Sequence, residues 1–158
     1  MIPETLQQEL KQRVAAAVTP REAAVDIMRA IQGEYGWLTD EGVAEAAAIL
    51  GLSPLQVEEL ATFYEMIYRR PVGKRVIHLC DSISCWSTGS ETLLHHLSHK
   101  LGIAPGETTK DGLFTLLPCA CLGNCGEGPT MMIDNTLYGP VTLERVEEIL
   151  ATEQRQLR

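Results

Sequence analysis

The sequence contains no apolar stretch that approaches the roughly 20 residues a helix needs to cross a bilayer. Residues 1–10 have neither the basic start nor the apolar centre of a secretory signal. We therefore expect a cytoplasmic protein without direct membrane insertion. In such a reducing compartment, cysteines are metal ligands or catalytic groups more often than disulfide partners.

Positive charge is also scarce, because 13 Lys and Arg residues stand against 21 Asp and Glu residues and the formal net charge is −8. No basic stripe is present, which argues against a nucleic-acid partner. The chain has no internal repeat and no C-x2-C pair of the kind found in thioredoxin-type dithiols. It also lacks the Gly-rich dinucleotide fingerprint, so we expect no hydride-transfer site in this chain.

The first half of the 158 residues has the apolar spacing of short helices. We predict helices over residues 3–18, from Pro20 to about Gly33 or Gly36, over residues 41–50, and from Pro54 to about residue 66. Ser53, Pro54 and Gln56 form a capping-box signature at the start of the fourth helix. The pattern predicts an N-terminal helical bundle over residues 1–72.

After Gly73 the apolar period changes to that of strands alternating with helices. Strands are predicted over residues 74–80, 113–117, 130–134 and 137–138. A polar loop is predicted over residues 81–87, then a helix ending near Gly102, and a last helix starting at Thr142. The order β-α-β-β-β-α implies one parallel pair with a crossover and later antiparallel strands. We therefore predict a thioredoxin-like second domain over residues 73–158 and an α+β or α/β fold class.

Two spaced cysteine pairs follow the first two predicted strands. Cys80 and Cys85 form C-x4-C, and Cys121 and Cys125 form C-x3-C. Four thiolates hold either Zn²⁺ or an iron–sulfur cluster. The spacings are wider than the C-x2-C knuckles common in zinc sites, and nearby Ser and Gly residues supply the space and N–H donors that a [2Fe–2S] cluster needs. The pattern favours the cluster, and a zinc-stapled interaction module is the alternative from another class.

The fifth cysteine, Cys119, competes with Cys121 for the third ligand position. Cys121 gives the tighter loop with Cys125, and Cys119 belongs to the end of the strand, so we predict that Cys119 is not a ligand. Among other candidates, we expect the histidine pair His95 and His99 to lie on a solvated helix face. His78 is expected in the core, and Trp86 either shields the cluster or only packs.

Further motifs surround the cysteines. They are Gly36-Trp37-Leu38, Ala61-Thr62-Phe63-Tyr64, Arg70-Pro71-Val72-Gly73, Pro105-Gly106-Glu107-Thr108, Cys119-Ala120-Cys121 and Gly128-Pro129-Thr130-Met131-Met132. With the cysteine pairs, these motifs resemble the family of small thioredoxin-like [2Fe–2S] subunits in the NADH dehydrogenase module of bacterial respiratory complex I, the NADH:quinone oxidoreductase. Equivalent subunits of NAD-linked hydrogenases and formate dehydrogenases belong to the same family and are the alternative.

The resemblance implies a thioredoxin-like [2Fe–2S] ferredoxin domain with an N-terminal helical extension. It implies that Cys80, Cys85, Cys121 and Cys125 ligate one [2Fe–2S] cluster, which exchanges one electron with the FMN of a partner flavoprotein subunit that also binds NADH. A larger iron–sulfur subunit of the same module would be a second partner. The chain would then be a subunit of an oxidoreductase that is also a translocase. It would lie in the peripheral arm of that complex, on the cytoplasmic face, and would have no catalytic residues of its own.

Overall fold

A computed structural model of the protein describes residues 1–156. Contacts within the chain separate two compact units, Met1–Pro71 and Val72–Arg158. The predicted second domain extends to residue 158, and its last two residues lie outside the described part. Within residues 1–156, no helix has both the length and the apolar character required to cross a membrane.

The first unit is built from helices. They are α1 (Glu4–Ala16), α2 (Ala24–Tyr35), α3 (Asp40–Leu50) and α4 (Pro54–Phe63), with a 3-10 turn at Pro20–Ala23. Their apolar faces enclose a core that includes Leu10, Ile27, Met28, Ile31, Leu38, Leu50 and Val57. The four predicted helices are therefore confirmed, although their ends differ in detail.

The helix ends follow the capping chemistry of the sequence. The predicted capping box of α4 is present, since Ser53 accepts from the Gln56 N–H and the Gln56 side chain accepts from the Ser53 N–H. The helix α2 does not stop at Gly33 but continues to Tyr35, and Gly36 ends it in the left-handed region at φ 80°. Of these two glycines, only Gly36 adopts the conformation for which glycine is favoured.

The helix α4 ends three residues before the predicted end at Met66. Tyr64 is extended and ends the helix, and a turn follows in which the Ile67 N–H donates to the Tyr64 carbonyl at 2.9 Å. The Gln32 amide binds the Met66 carbonyl at 3.0 Å and accepts from the Tyr68 N–H at 2.6 Å. These long-range hydrogen bonds compete with a further turn of α4. The spacing of apolar residues in the sequence does not predict them.

The second unit contains a four-stranded mixed sheet in the order β2-β1-β3-β4. Its elements are β1 (Arg75–Cys80), α5 (Ile83–Ser87), α6 (Ser90–Leu101), β2 (Phe114–Cys119), β3 (Met131–Ile133), β4 (Thr136–Tyr138) and α7 (Leu143–Gln156). β1 pairs with β2 in parallel, and the β1–β3 and β3–β4 pairs are antiparallel. The predicted parallel pair, the later antiparallel strands and the α+β class are confirmed.

The register of the parallel pair matters for the cysteines. Cys80 at the end of β1 lies opposite Cys119 at the end of β2. Both cysteine loops therefore leave the sheet at the same edge, as the predicted topology requires. The core beneath them is apolar and includes Ile77, Leu93, Leu97, Phe114, Leu116, Met131 and Val146.

Candidate metal centre

The first cysteine pair joins the end of a strand to a short helix. Cys80 is the last residue of β1, and Cys85 lies in α5, which replaces the loop predicted over residues 81–87. The helix forms because the Trp86 N–H reaches the Ser82 carbonyl at 2.8 Å, while the Ser87 and Thr88 hydroxyls bind the Ser84 carbonyl at its end. Both thiols are 2 % exposed, and their side chains contact each other.

Burial governs the chemistry of this pair. Removal from water raises the pKa of the Cys85 thiol, and the neighbouring Cys80 thiol raises it further, while hydrogen bonds from Thr130 act in the opposite direction. The Cys85 side chain is therefore a neutral thiol near neutral pH. A metal that binds here must displace the proton, so binding is coupled to proton release.

The second pair lies on the loop that follows β2. Cys121 and Cys125 are exposed, in contrast to the first pair. Between them, Gly123 has φ 76° and turns the chain, and its N–H points to the Cys121 sulfur at 3.3 Å. Cys125 begins a single 3-10 turn that runs to Glu127. This loop presents two thiols and at least one backbone donor at the protein surface.

Both ends of this loop are fastened to the first pair. The Asp81 N–H donates to the Cys119 carbonyl at 3.0 Å, and the Cys80 N–H donates to the Thr130 carbonyl at 3.1 Å. Residues 120–129 therefore leave from and return to the end of β1. This anchoring places all four predicted ligands on one edge of the sheet.

Gly128 marks the closest approach of the loop to α5. A Cβ at this position would lie 2.8 Å from the Thr88 hydroxyl and 3.5 Å from the Cys85 sulfur. A distance under 3 Å is shorter than any ordinary contact, so a larger residue would push the loop away from α5. The glycine thus allows the backbone to pass beside a cysteine sulfur.

The structure brings some of the cysteines together and leaves others apart. Cys80, Cys85 and Cys119 pack as one buried group against Leu122, and all five cysteines are free thiols. Within residues 1–156, no group of three or more His, Cys, Asp or Glu side chains already has the spacing of a metal site. The donor set still fits an iron–sulfur cluster, because two buried and two exposed thiols share one edge, with the Gly123 N–H beside the Cys121 sulfur.

The other candidates have ordinary structural roles. His78 is buried in β1, as expected for a core residue. His95 and His99 are exposed on α6, which agrees with the predicted solvated face. The Trp86 side chain is 56 % exposed and lines a small cavity together with Cys80, so both of its expected roles stay predictions.

One residue at this edge was missed by sequence reasoning. Thr130 is fully buried, and its hydroxyl binds the carbonyls of Asn124 and Glu127 in the second loop. The available signal was its position, a polar residue between the glycine-rich loop and the apolar strand β3. Neither cysteine spacing nor strand periodicity points to such a residue.

Comparison with known proteins agrees with this arrangement. A family model described as thioredoxin-like [2Fe–2S] ferredoxin matches residues 8–154, which is nearly the whole chain. The chain belongs to the thioredoxin-like [2Fe–2S] ferredoxin family. Membership confirms the predicted thioredoxin-like fold and the predicted [2Fe–2S] cofactor.

Curated relatives within this family carry a more specific name. The E subunit of NADH-quinone oxidoreductase from Escherichia coli (strain K12) is 44% identical over 131 residues, covering 83% of this chain and 79% of the relative. The protein of that name from Buchnera aphidicola (subsp. Baizongia pistaciae) is 43% identical over 136 residues, covering 86% and 80%. That from Pseudomonas aeruginosa is 37% identical over 150 residues, covering 95% and 90%. The family recognised from the sequence motifs is thereby confirmed.

A solved structure shares the fold of this ferredoxin at lower identity. The NAD⁺-reducing [NiFe]-hydrogenase in the air-oxidized state aligns with a TM-score of 0.70 and 23% identity. The alignment covers 84% of this chain and 23% of the hydrogenase chain. At this identity the match supports the fold and carries nothing about the reaction.

Proposed function

We propose that this ferredoxin is the [2Fe–2S] electron-transfer subunit of an NADH:quinone oxidoreductase. The observation that carries the proposal is the identity of 37–44% to proteins named as the E subunit of that enzyme, over most of both chains. The thiol-rich edge of the sheet supports it independently, because it fits the cofactor of the family. The chain contributes electron transfer, and hydride transfer from NADH belongs to another subunit.

We propose Cys80, Cys85, Cys121 and Cys125 as the cluster ligands. They supply one thiolate pair from β1 and α5 and a second pair from the loop anchored beside them. Cys119 is left out because Cys121 forms the tighter C-x3-C loop with Cys125, although Cys119 is buried beside Cys80 and Cys85. When bound, a [2Fe–2S] cluster accepts and releases single electrons at the protein's edge.

The chain's own residues would give this cluster two different sides. Cys80 and Cys85 are buried and would keep water from the inner side, and Cys121 and Cys125 are exposed on the outer side. The backbone N–H of Gly123 lies 3.3 Å from the Cys121 sulfur and would stabilise its negative charge. The outer side is thus where electrons would enter or leave.

We propose an FMN- and NADH-binding flavoprotein subunit as the electron-exchange partner and a larger iron–sulfur subunit as a further neighbour. The relatives are named as subunits of a multi-subunit oxidoreductase, which supports partner subunits in general. We further propose that the complex faces the cytoplasm, and that residues 1–72 and 73–158 form a helical domain and a ferredoxin domain. The two compact units support this division.

The proposal is tested on the purified full-length chain. Iron and labile sulfide should be present in equal amounts, and one-electron reduction should give a paramagnetic signal. A colourless protein with stoichiometric zinc would contradict it. Co-purification with an FMN-containing, NADH-oxidising subunit then tests the partner, and recovery with hydrogenase or formate dehydrogenase subunits would contradict the assignment to the quinone-linked enzyme.

A further inference from the structure

Thr130 connects the two cysteine loops. It directly precedes β3 and is 0 % exposed. Its carbonyl accepts the Cys80 N–H at 3.1 Å. Its Oγ1 lies 3.1 Å from the Glu127 carbonyl and 3.3 Å from the Asn124 carbonyl. The two carbonyls share the single hydroxyl proton, and since no water reaches the side chain, this bond is lost without replacement if the hydroxyl is removed.

The two carbonyls lie on either side of a proposed ligand. Asn124 directly precedes Cys125, and Glu127 closes the 3-10 turn that Cys125 begins. One hydroxyl therefore holds both ends of the turn that carries this thiol. The turn also closes on itself, because the Glu127 N–H donates to the Asn124 carbonyl at 3.1 Å, and Gly139 passes close beside both residues.

Thr130 is also tied to the buried pair through the backbone. The Cys80 N–H bond to its carbonyl holds the end of the second loop at the end of β1, where the loop passes Gly128 close to Cys85. A single residue thus bonds to the backbone of Cys80 and to the turn that carries Cys125. Two of the four proposed ligands are linked through it.

We propose that Thr130 is a positioning residue of the cluster, whose hydroxyl fixes the Cys125 turn beside the end of β1. The inference rests on the ligand set proposed above. The hydroxyl bonds to backbone carbonyls on both sides of Cys125, so it orients this ligand without touching its sulfur. The hydroxyl therefore affects how tightly the cluster is held, and the potential through the position of the Cys125 thiolate.

The test compares Thr130→Val, which keeps the shape and removes the hydroxyl, with Thr130→Ser, which keeps the hydroxyl. Each full-length chain is loaded with cluster, and the rate of bleaching by excess iron chelator and the midpoint potential are measured. Loss of one hydrogen bond of about 1 kcal/mol predicts about fivefold faster bleaching in Thr130→Val. The midpoint potential shifts by the part of this factor that differs between the oxidised and the reduced cluster, which is at most about 40 mV at 59 mV per tenfold for one electron. Thr130→Ser should match the wild type in both.

Thr115→Val is the matched control. Thr115 is as buried as Thr130, but its hydroxyl bonds with the Gly73 N–H at 2.6 Å and with Thr108 at 2.7 Å, away from the cysteine loops. This variant should leave the midpoint potential unchanged. If Thr130→Val does not fold, Thr130→Ala provides a second hydroxyl-free side chain with less bulk.

The outcomes separate this inference from the proposed function. A wild-type chain that binds no cluster overturns both. A loaded wild type whose hydroxyl-free variants keep the wild-type bleaching rate and potential overturns the inference alone. The inference also fails if Thr130→Ser loses its cluster as fast as Thr130→Val, because the methyl group and not the hydroxyl would then hold the turn.

Discussion

Serine substitutions at Cys119 and at Cys121 should damage the protein in opposite ways, because one thiol is buried and the other is exposed. Cys119 is 2 % exposed and packs with Cys80 and Cys85 at the end of the sheet. Cys121 lies on the outer loop with its thiol in solvent. If Cys121 is the ligand and Cys119 is not, stability and cluster binding will respond to different substitutions.

For Cys119→Ser we expect reduced stability with an intact cluster. The substitution places a more polar hydroxyl in a buried group of thiols, which costs about 1–3 kcal/mol from mutational data on buried polar groups. For a chain of this size, each kcal/mol lowers the melting temperature by roughly 2–4 °C. The cluster-free protein should therefore melt roughly 2–12 °C lower, while iron and sulfide per chain stay at the wild-type level.

For Cys121→Ser we expect the reverse. An exposed substitution away from special backbone features changes stability by no more than about 0.5 kcal/mol. The cluster-free protein should therefore melt near the wild-type temperature. Iron and sulfide per chain should fall sharply, because one of the four ligand positions is lost.

Two measurements are made in parallel for the two variants. The melting temperature is measured on the cluster-free proteins, and the iron and sulfide content per chain is measured after cluster reconstitution. Cys125→Ser is the matched control, since it is exposed on the same loop and should behave like Cys121→Ser. The reasoning is refuted if Cys119→Ser loses the cluster and Cys121→Ser retains it. Cys119 would then be a ligand, and the chelating loop would be C-x5-C.

Three further substitutions test other parts of the structure. Ser53→Ala removes the capping box of α4 and should cost about 1 kcal/mol in the free energy of unfolding, measured with urea. Gly128→Ala should lower cluster retention at unchanged cysteine content, because its Cβ would lie 2.8 Å from the Thr88 hydroxyl. Hydrogen bonds from the side chains of Lys100 and His96 lower the pKa of Glu147. The ionised carboxylate therefore stabilises the fold fully above its unfolded pKa of roughly 4.3. This stabilisation is lost as the pH falls through the lower pKa of the folded state. Glu147→Gln should therefore reduce the drop in urea midpoint over that acid range, and an unchanged drop would contradict this.

The fold was predictable where local signals agree with tertiary packing. Ser53 and Gln56 form the capping box that the sequence pattern predicts. The strands around Cys80 and Cys119 were predictable from apolar alternation, and their parallel pairing from the single helical crossover between them. Local patterns therefore sufficed to place both cysteine loops at one edge of the sheet.

The prediction failed where a helix is too short to show a period and where distant groups fix the backbone. Residues 81–87 are polar and predict a loop, yet Ser82 and Trp86 close a helical turn there. The end of α4 is likewise set by Gln32, which captures the backbone of residues 66–68. Periodicity carries no information about such partners, so element ends and short helices are the parts that sequence alone could not give.

The site itself shows the same division. Cysteine spacing predicts which thiols could bind a metal, since chelation depends on residues close together in the chain. It does not predict what holds the two loops against each other, because Thr130 contacts residues of both loops from outside either pair. Hydrogen bonds to an outer-shell residue depend on the folded sheet, and a local motif cannot encode them. It follows that members of this family with the same four cysteines can differ in cluster stability and potential through residues such as Thr130.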